Sequence, residues 1–409
     1  MLFCSRCVVS NQRPSSSVEF RNSPNQPKAT INFDGEGVCS ACRVVERKST
    51  IDWSARRLEL ESLCEQFRGS GRDYDCVVPG SGGKDSVYAA LKLKNEYGMH
   101  PLTVTWAPHL YTDWGWRNHQ RWIHSGVDNI LVTPNGRVHR LLTRLAVDRL
   151  LHPFQAFILG QKLMAPRLAQ QMGIPLVFYG ESEAEYGNPR AESESALREN
   201  KYFAGKSSEG EPFYLGGVDV SQIVNKAELD ERELNPYLPT SEDDLATSGV
   251  EVHYLGYYLK WHPQSCYYYA VEHTGFEASP ERTPGTYSKY NSIDDKIDDL
   301  HYYTTFIKFG IGRATYDAAQ EIRSGDINRD EGVALVKRFD GEWPGRFIPE
   351  LMEYLSLPEK EFPALGDLVE ERTMTEDRFR DLCDEFRSPH LWEREGTSSD
   401  WKLRHAVWH

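Results

Sequence analysis

Short apolar runs alternate with longer amphipathic stretches between residues 74 and 180, and this alternation predicts strands separated by helices. The apolar runs at 75–79, 102–106, 129–132 and 175–179 have the length and composition of buried strands. Helical spacing follows at 87–93, 138–151 and 154–171. Strands alternating with helices at these intervals are typical of an α/β fold with a doubly wound parallel sheet.

The rest of the chain has a different pattern. Residues 52–67 predict a connecting helix with Asp52 as its N-cap. Residues 190–285 lack sustained periodicity, and we expect an insertion that covers the ligand edge of the sheet and shapes a substrate pocket. Beyond Ser292, apolar residues recur every three or four positions, which predicts a helical region. We therefore expect three domains, at 1–50, 51–285 and 286–409.

A loop rich in glycine and serine follows the first predicted strand and precedes a helix. This arrangement directs backbone N–H groups and a helix N-terminus at an anion. Glycine lets the backbone approach phosphate oxygens, serine adds hydroxyl donors, and lysine adds a cation. Asp85 stands where a Walker A loop has Ser or Thr, so the loop is of another kind. The alternative is a glycine-rich turn without a ligand. The residues predicted to bind nucleotide phosphates are Ser81, Gly82, Gly83, Lys84, Asp85 and Ser86.

Further candidate residues follow the other strands, because parallel strands present their carboxyl ends at one edge of the sheet. Trp106 and Ala107 follow the second strand and could place adenine, although Trp106 could equally be a core residue. Gly180 and Glu181 follow the strand at 175–179, with Glu185 close behind. We expect one of the two glutamates to bind Mg²⁺ or to accept a proton. The alternative is a solvated acidic loop.

Four of the eight cysteines form two C-x-x-C pairs, the spacing at which two knuckles hold one tetrahedral zinc. Disulfides or a redox pair are the alternatives, and a reducing cytoplasm disfavours disulfides. Because four thiolates close the coordination shell, we expect a structural Zn²⁺ without chemistry of its own. The predicted ligands are Cys4, Cys7, Cys39 and Cys42.

The composition narrows the class of substrate. Acidic residues number 61 against 47 basic ones, for a net charge of −14. A nucleic-acid-binding enzyme usually has a basic surface, so the charge balance argues against such a substrate. The sequence contains no apolar run long enough for a membrane span and does not begin with a signal-peptide pattern. We expect a soluble cytoplasmic protein that binds neither nucleic acid nor membrane.

The glycine loop resembles the Ser-Gly-Gly-x-Asp-Ser signature of the PP-loop ATP pyrophosphatases. Taken with other segments, the chain resembles the N-acetyl sugar amidotransferases of bacterial surface-glycan biosynthesis, such as lipopolysaccharide and O-antigen pathways. The segments that carry this second resemblance are the cysteine pairs, Pro79 to Ser86, Val104 to Pro108, His152 to Gln155, Tyr179 to Glu181, Glu185 to Asn188 and Arg313 to Asp317.

This resemblance implies an ATP-dependent C–N ligase that converts an N-acetyl group of a sugar to an acetamidino group. We expect the sugar to be linked to UDP. The amide oxygen would be adenylated with release of pyrophosphate, and ammonia would then displace AMP. Lys84 and Mg²⁺ would stabilise the pyrophosphate, and Asp85 would orient the loop or bind the metal.

The resemblance also implies a separate glutaminase, with an ammonia-channelling subunit, similar to those of histidine biosynthesis. The sequence lacks the Gly-x-Cys-x-Gly elbow of triad glutaminases, and position two is Leu2 rather than the cysteine of an N-terminal-nucleophile glutaminase. Ammonia is therefore expected from a partner or from solution.

Candidate substrate-binding residues lie in the same segments. Arg313 suits a substrate phosphate because a guanidinium fork matches its oxygens. For His152, Gln155 and Arg313, the alternative is a role as a helix cap or a surface charge. The predicted set is His152, Gln155, Tyr186, Asn188 and Arg313.

Two other functions remain open at this stage. One is a tRNA-modifying PP-loop enzyme similar to a thiolase, which would need a basic RNA-binding face and usually catalytic cysteines. The other is a zinc-knuckle scaffold with a degenerate nucleotide pocket, which the intact loop disfavours.

Overall fold

The computed structural model describes residues 1–15, 18–22, 28–69, 73–181, 185, 195–198, 212–394 and 400–409. A five-stranded parallel sheet forms its centre, in the order β3-β2-β1-β4-β7. Two short antiparallel pairs, β5 with β6 and β8 with β9, lie apart from it. The strands are β1 Cys76–Pro79, β2 Pro101–Trp106, β3 Asp128–Val132, β4 Leu176–Tyr179, β5 Tyr214–Leu215, β6 Val218–Asp219, β7 Glu251–Tyr254, β8 Trp392–Arg394 and β9 Trp401–Leu403.

Helices connect the strands and form most of the C-terminal region. They are α1 Ser40–Lys48, α2 Trp53–Phe67, α3 Lys84–Asn95, α4 Asp113–Ile123, α5 Gly136–Leu150, α6 Gln155–Met172, α7 Val220–Ala227, α8 Glu242–Ser248, α9 Leu255–Tyr258, α10 Pro263–Thr274, α11 Asp298–Phe309, α12 Arg313–Ser324, α13 Arg329–Phe339, α14 Ile348–Leu355 and α15 Glu376–Glu385. Two 3₁₀ turns lie at Glu231–Tyr237 and Gly345–Phe347.

Both faces of the sheet are buried. Successive residues of a strand point to opposite faces. Val77 belongs to a cluster that includes Leu163 of α6, whereas Val78 belongs to a cluster that includes Val87 of α3 and Cys266 of α10. Helices thus cover the two faces, and the predicted doubly wound α/β class is confirmed.

The strand order reverses beside β1. The chain runs from β1 to β2 and β3 on one side, and then crosses to β4 and β7 on the other. Such a switch point leaves a crevice at the carboxyl ends of the two strands that flank it. The loop that begins at Gly80 leaves β1 at this crevice.

Three local predictions differ from the structure. The stretch expected as insertion contributes β7, an edge strand of the main sheet. The segment 292–297 is irregular, and α11 begins only at Asp298. The hairpin of β8 and β9 ends a region expected to be helical. The predicted helix at 52–67 is present, with the Asp52 side chain accepting from the N–H groups of Ser54 and Ala55.

The N-terminal cysteine segment packs on the C-terminal region. Its core cluster includes Ala318 and Ala319 of α12 and Val336 of α13. Arg329 Nε donates to the carbonyl oxygen of Cys7 at 3.2 Å. The three-domain division stays a prediction, although these contacts join its first and last parts. Among the described residues, no helix has the length and apolar character that crossing a membrane would require.

Candidate active site

The loop after β1 has a backbone that requires glycine. Gly82 has φ +85°, and a Cβ there would lie 2.9 Å from the Cα of His119. A Cβ on Gly80 would lie 2.0 Å from that of Ser86. Gly83 is the N-cap of α3, so the free N–H groups of a twelve-residue helix open at this loop. The loop therefore has the shape of an anion cradle, and the binding of nucleotide phosphates by its residues stays a prediction.

A cavity of about 450 Å³ lies beside this loop. One wall comes from the loop and from the ends of β1 and β2. The opposite wall comes from the C-terminal region, which the sequence analysis had connected to the site only through Arg313. The residues that line the cavity include Arg13, Ser81, Lys84, Asp85, Trp106, Glu181, Asp294, Asp298, Arg313, Asp317 and Arg323.

Lys84 and Asp85 form an ion pair at the base of the cradle. Lys84 Nζ lies 2.6 Å from Asp85 Oδ2, and the lysine is 6% exposed. Burial opposes the charge of Lys84, but the carboxylates of Asp85 and Glu181 outweigh it and raise its pKa. Asp85 Oδ1 is buried and has no hydrogen-bond partner among the described residues. A fixed ammonium group thus faces the cavity beside an oxygen that is still able to bind a ligand.

Glu181 follows β4 and enters the same cavity. Its Oε1 accepts from Trp261 Nε1 at 3.1 Å and from Gln320 Nε2 at 3.4 Å. Burial raises the pKa of Glu181 to about 8, Asp85 adds to the rise, and Lys84 opposes it. A carboxyl group with this pKa exchanges a proton near neutral pH, as a general acid or base must.

Glu185 lies outside this cavity. Its Oε1 pairs with Lys48 Nζ at 2.7 Å, and burial raises its pKa. It borders a separate pocket of about 210 Å³, to which Gln320 and Arg323 also contribute. Glu185 therefore lines a different pocket from Glu181, although it is close enough to add to the rise in the pKa of Glu181.

Asp294 and Asp295 of the irregular segment, and Asp298 at the start of α11, lie on the opposite wall. Burial raises the pKa of Asp294 and of Asp298, and a hydrogen bond with Ser81 partly offsets the rise at Asp294. Asp295 pairs with His109 Nδ1 at 2.7 Å, at the end of the loop that follows β2. Sequence reasoning missed these aspartates because their segment resembled the start of a helix.

Guanidinium groups provide the positive charge of that wall. Arg313 Nη1 donates to the hydroxyl of Tyr302 at 2.9 Å, and its Nε lies 3.0 Å from Asp317 Oδ1. Arg13 is buried with its guanidinium over the ring of Tyr316, at 4.9 Å from the centroid. Arg313 thus lines the cavity, and its role in binding the substrate stays a prediction.

Three other predicted site residues are buried: Trp106, Ala107 and Gln155. Trp106 lines the cavity but is 4% exposed and packs edge-on against His139 and Tyr237. Gln155 is fully buried, and its Oε1 accepts from Gly216 N at 3.0 Å. Neither Gln155 nor Ala107 is among the residues that line the cavity.

His152 borders a second cavity, which adjoins the first. Gly180 closes the end of β4, where a Cβ would lie 2.9 Å from the ring of Trp261. Tyr186 and Asn188 lie outside the described residues.

The four cysteines of the two C-x-x-C pairs converge. Their sulfur atoms all lie within 4.8 Å of one another, with 3.9 Å between those of Cys4 and Cys42 and 3.8 Å between those of Cys7 and Cys39. Four thiolates at about 2.3 Å from one tetrahedral zinc stand about 3.8 Å apart. Cys4 Sγ also accepts the N–H of Cys39 at 3.3 Å, which stabilises a thiolate. This buried group can hold a single metal ion with no open position.

Residues 284–407 match the family model of the C-terminal domain of WbpG-like LPS biosynthesis proteins. This match covers the wall of the cavity that faces the glycine loop, including Asp294, Asp298, Arg313 and Arg323. An 80-residue stretch of the chain is 31% identical to an uncharacterized protein of Methanocaldococcus jannaschii. That match covers 20% of this chain and 28% of the archaeal protein.

Two solved structures were found by their shape. The NMN synthetase of Francisella tularensis matches 68% of this chain and 94% of its own, with a TM-score of 0.26 and 10% identity. The U34-tRNA thiolase NcsA of Methanococcus maripaludis, solved with its 4Fe-4S cluster, matches 79% of this chain and 90% of its own. The TM-score is 0.27 and the identity is 10%. Likeness at this level carries no argument about function.

Proposed function

We propose that the protein is an ATP-dependent amidotransferase of glycan biosynthesis, which converts an N-acetyl group of a sugar to an acetamidino group and releases AMP and pyrophosphate. One observation carries this proposal: the glycine cradle at the switch point of the sheet opens into a cavity whose far wall matches a domain of LPS biosynthesis proteins.

The first step is adenylation of the amide oxygen. This oxygen attacks the α-phosphorus of ATP, the bond to the β-phosphate oxygen breaks, and pyrophosphate leaves with the electron pair. The loop amides and Lys84 hold the negative charge that accumulates on pyrophosphate. Preorganised donors of this kind stabilise a transition state without having to reorient during the reaction.

The second step is attack by ammonia on the activated carbon. A new C–N bond forms, the C–O bond breaks, and AMP leaves with its oxygen. The nitrogen must lose a proton on the way to the amidine. Glu181 accepts it, because its raised pKa is close to the pH at which the enzyme would operate.

The carboxylates beside the cradle fit Mg²⁺, a hard cation that prefers oxygen ligands. Asp85 would hold it through the buried Oδ1 that lacks a partner among the described residues, together with Asp294 or Glu181. The ion would supply charge neutralisation at the phosphates. The four-cysteine group would hold Zn²⁺ and support the fold.

Ammonia is proposed to come from a separate glutaminase with a channelling subunit. The chain supplies no sequence signature for hydrolysing glutamine, as described above. Free ammonium in the assay would replace this partner.

The experiment incubates the purified chain with ATP, Mg²⁺, ammonium and a UDP-N-acetyl sugar, and follows nucleotides and sugar by mass spectrometry. We expect AMP, pyrophosphate and a sugar lighter by about one dalton, the difference between oxygen and an NH group. Pyrophosphate release with tRNA in place of the sugar would favour the thiolase-like alternative. The absence of ATP cleavage with every acceptor would favour a scaffold.

A further inference from the structure

A second cavity, of about 380 Å³, adjoins the candidate active site. The two cavities share the lining residues Ile158, Gln161, His301 and Tyr316. The rest of the second wall comes from Pro14, Ser15 and Val18, from the junction of α5 and α6, and from the last turns of α11. This cavity lies beyond His301 as seen from the glycine loop, and none of the loop residues lines it.

The second cavity carries an excess of positive charge. Lys308 is buried, and its Nζ donates to Glu19 Oε2 at 2.6 Å and to the carbonyl oxygen of Leu150 at 2.5 Å. The same Glu19 pairs with Lys28 at 2.7 Å, and Lys162 also lines the cavity. Among the described residues that line the cavity, Lys162 and Lys308 are basic and none is acidic, in a chain whose net charge is −14.

The charge of Lys308 is incompletely compensated. Its pKa is lowered to about 7, chiefly by burial; Lys28 contributes to the fall, and Glu19 opposes it. An ammonium group has three N–H donors, of which two have partners among the described residues. An anion in the cavity would engage the third donor and stabilise the charged form.

Two neutral imidazoles line the same space. The rings of His152 and His301 stack with 5.1 Å between their centroids. Burial lowers the pKa of both, that of His301 to about 3, so neither is charged at neutral pH. The Nδ1 atoms of both rings are buried without a partner among the described residues. Unpaired buried polar atoms are costly, and a polar ligand would relieve that cost.

One residue that lines this cavity has a strained backbone conformation. Leu151, between α5 and His152, has φ 45°, a left-handed conformation that is unfavourable for a residue with a side chain. Leu151 and His152 both line the cavity, and Leu150 provides the carbonyl oxygen for Lys308. Strain of this kind persists where the surroundings hold a site in place.

We propose that the second cavity binds the anionic group of the acceptor, a phosphate or a carboxylate, while the N-acetyl group of the acceptor reaches past His301 to the glycine loop. The acceptor then spans two chambers, with Lys308 and His152 at its distal end and Lys84 at the reacting end. The identification of this ligand as the acceptor rests on the proposed function; the binding of an anion does not.

Calorimetric titration of the full chain tests this inference. The glycine-loop cavity is first saturated with a non-hydrolysable ATP analogue, and the probes are UDP, glucuronate and neutral N-acetylglucosamine. We expect an anionic probe to bind, UDP if the site takes a phosphate and glucuronate if it takes a carboxylate. Lys308→Met and His152→Phe should each weaken that binding about tenfold or more, because each removes a hydrogen bond to a charged group.

Lys337→Met is the matched control, since Lys337 is exposed on α13, and it should leave every affinity unchanged. Should Lys308→Met fail to fold, Lys162→Met removes the other lysine charge that lines the cavity. The inference is overturned if neither anion binds once the ATP analogue is present, or if the cavity variants keep affinities within about twofold of the wild type. Anion binding without any amidine product would contradict the proposed function and leave this inference standing.

Discussion

Asp85 and Glu181 are two carboxyl groups of one cavity in different surroundings. Asp85 is paired with Lys84 and keeps one oxygen without a partner among the described residues. Glu181 accepts hydrogen bonds from Trp261 and Gln320, and burial raises its pKa to about 8. In the proposed reaction this difference divides the work between the two carboxyl groups: Asp85 would hold Lys84 and a cation, and Glu181 would exchange a proton.

Asp85→Asn should abolish turnover without unfolding the chain. The variant keeps the size of the side chain but loses the charge that pairs with Lys84 and that is proposed to bind the cation. We expect the rate of pyrophosphate release to fall by about a hundredfold or more, as when one preorganised charge-stabilising group is removed elsewhere. Asp381→Asn, at an exposed position of α15, is the control. Full activity of Asp85→Asn would exclude the assigned site.

The environment of Glu181 predicts a pH-dependent stability. Its pKa is raised from 4.5 to about 8 in the folded chain, so the folded state binds this proton more tightly than the unfolded state does. The contribution of Glu181 is therefore fully present below about pH 4.5 and is lost as the pH rises through about 8.

Glu181→Gln removes this dependence. The difference in melting temperature, variant minus wild type, should increase between about pH 5 and pH 8. Above about pH 8 this difference should stay constant. Glu385→Gln, exposed at the end of α15, is the control. Parallel melting curves for wild type and Glu181→Gln across this range would show that the carboxyl group titrates normally.

At the scale of elements, β1, its loop and α3 could be predicted from the sequence. Their signal is local: an apolar run, then glycines, then helical spacing within twenty residues. The edge strand β7 gave too weak a signal, because its four residues follow a long stretch without periodicity. In 292–297 the apolar residues have helical spacing, but the chain there is irregular and brings Asp294 and Asp295 to the cavity.

Gly82→Ala tests the conformation of the loop. The added Cβ would meet the backbone of His119 at 2.9 Å in a residue with φ +85°. Gly173→Ala is a matched control, since Gly173 has φ +65° at the end of α6 and open space around it. We expect the control to lose about 1 kcal/mol of stability and to bind the ATP analogue normally.

Gly82→Ala should destabilise the chain by more than the control and lose binding of the ATP analogue. The measurements are thermal unfolding and calorimetric titration of both variants. Equal stability and equal binding in the two variants would mean that the loop adapts to a side chain at position 82, contrary to the geometry described here.

At the scale of the whole molecule, the cavity is assembled from segments far apart in sequence. Arg13 comes from the N-terminal segment, Lys84 from the loop after β1, and Arg313 from α12. The arrangement of strand, glycine loop and helix could be predicted because its signature is local. Sequence reasoning did not find Arg13, Asp294 or Asp298, because only tertiary packing brings such groups to the loop.

The cysteine group should support the acceptor side of the cavity. It packs on α12, the helix that carries Arg313 and Asp317. Cys42→Ala should lose bound zinc and lower the melting temperature, because the free energy of metal binding contributes to folding. Acceptor binding should weaken more than binding of the ATP analogue, which depends on the sheet.

Cys383→Ala is the control for this experiment, because Cys383 is buried in a different cluster. It should keep one zinc ion per chain by elemental analysis. Equal zinc content in Cys42→Ala and Cys383→Ala would contradict the assignment of the metal ligands.

In the proposed reaction, the amide oxygen of the acceptor takes the AMP half of ATP. A UDP-N-acetyl sugar whose acetyl carbonyl carries the heavy oxygen isotope allows this oxygen to be followed. We expect the label to leave the sugar and to be recovered in AMP, in step with formation of the amidine. Label retained in the sugar, or ATP cleaved to ADP and phosphate, would contradict this reaction.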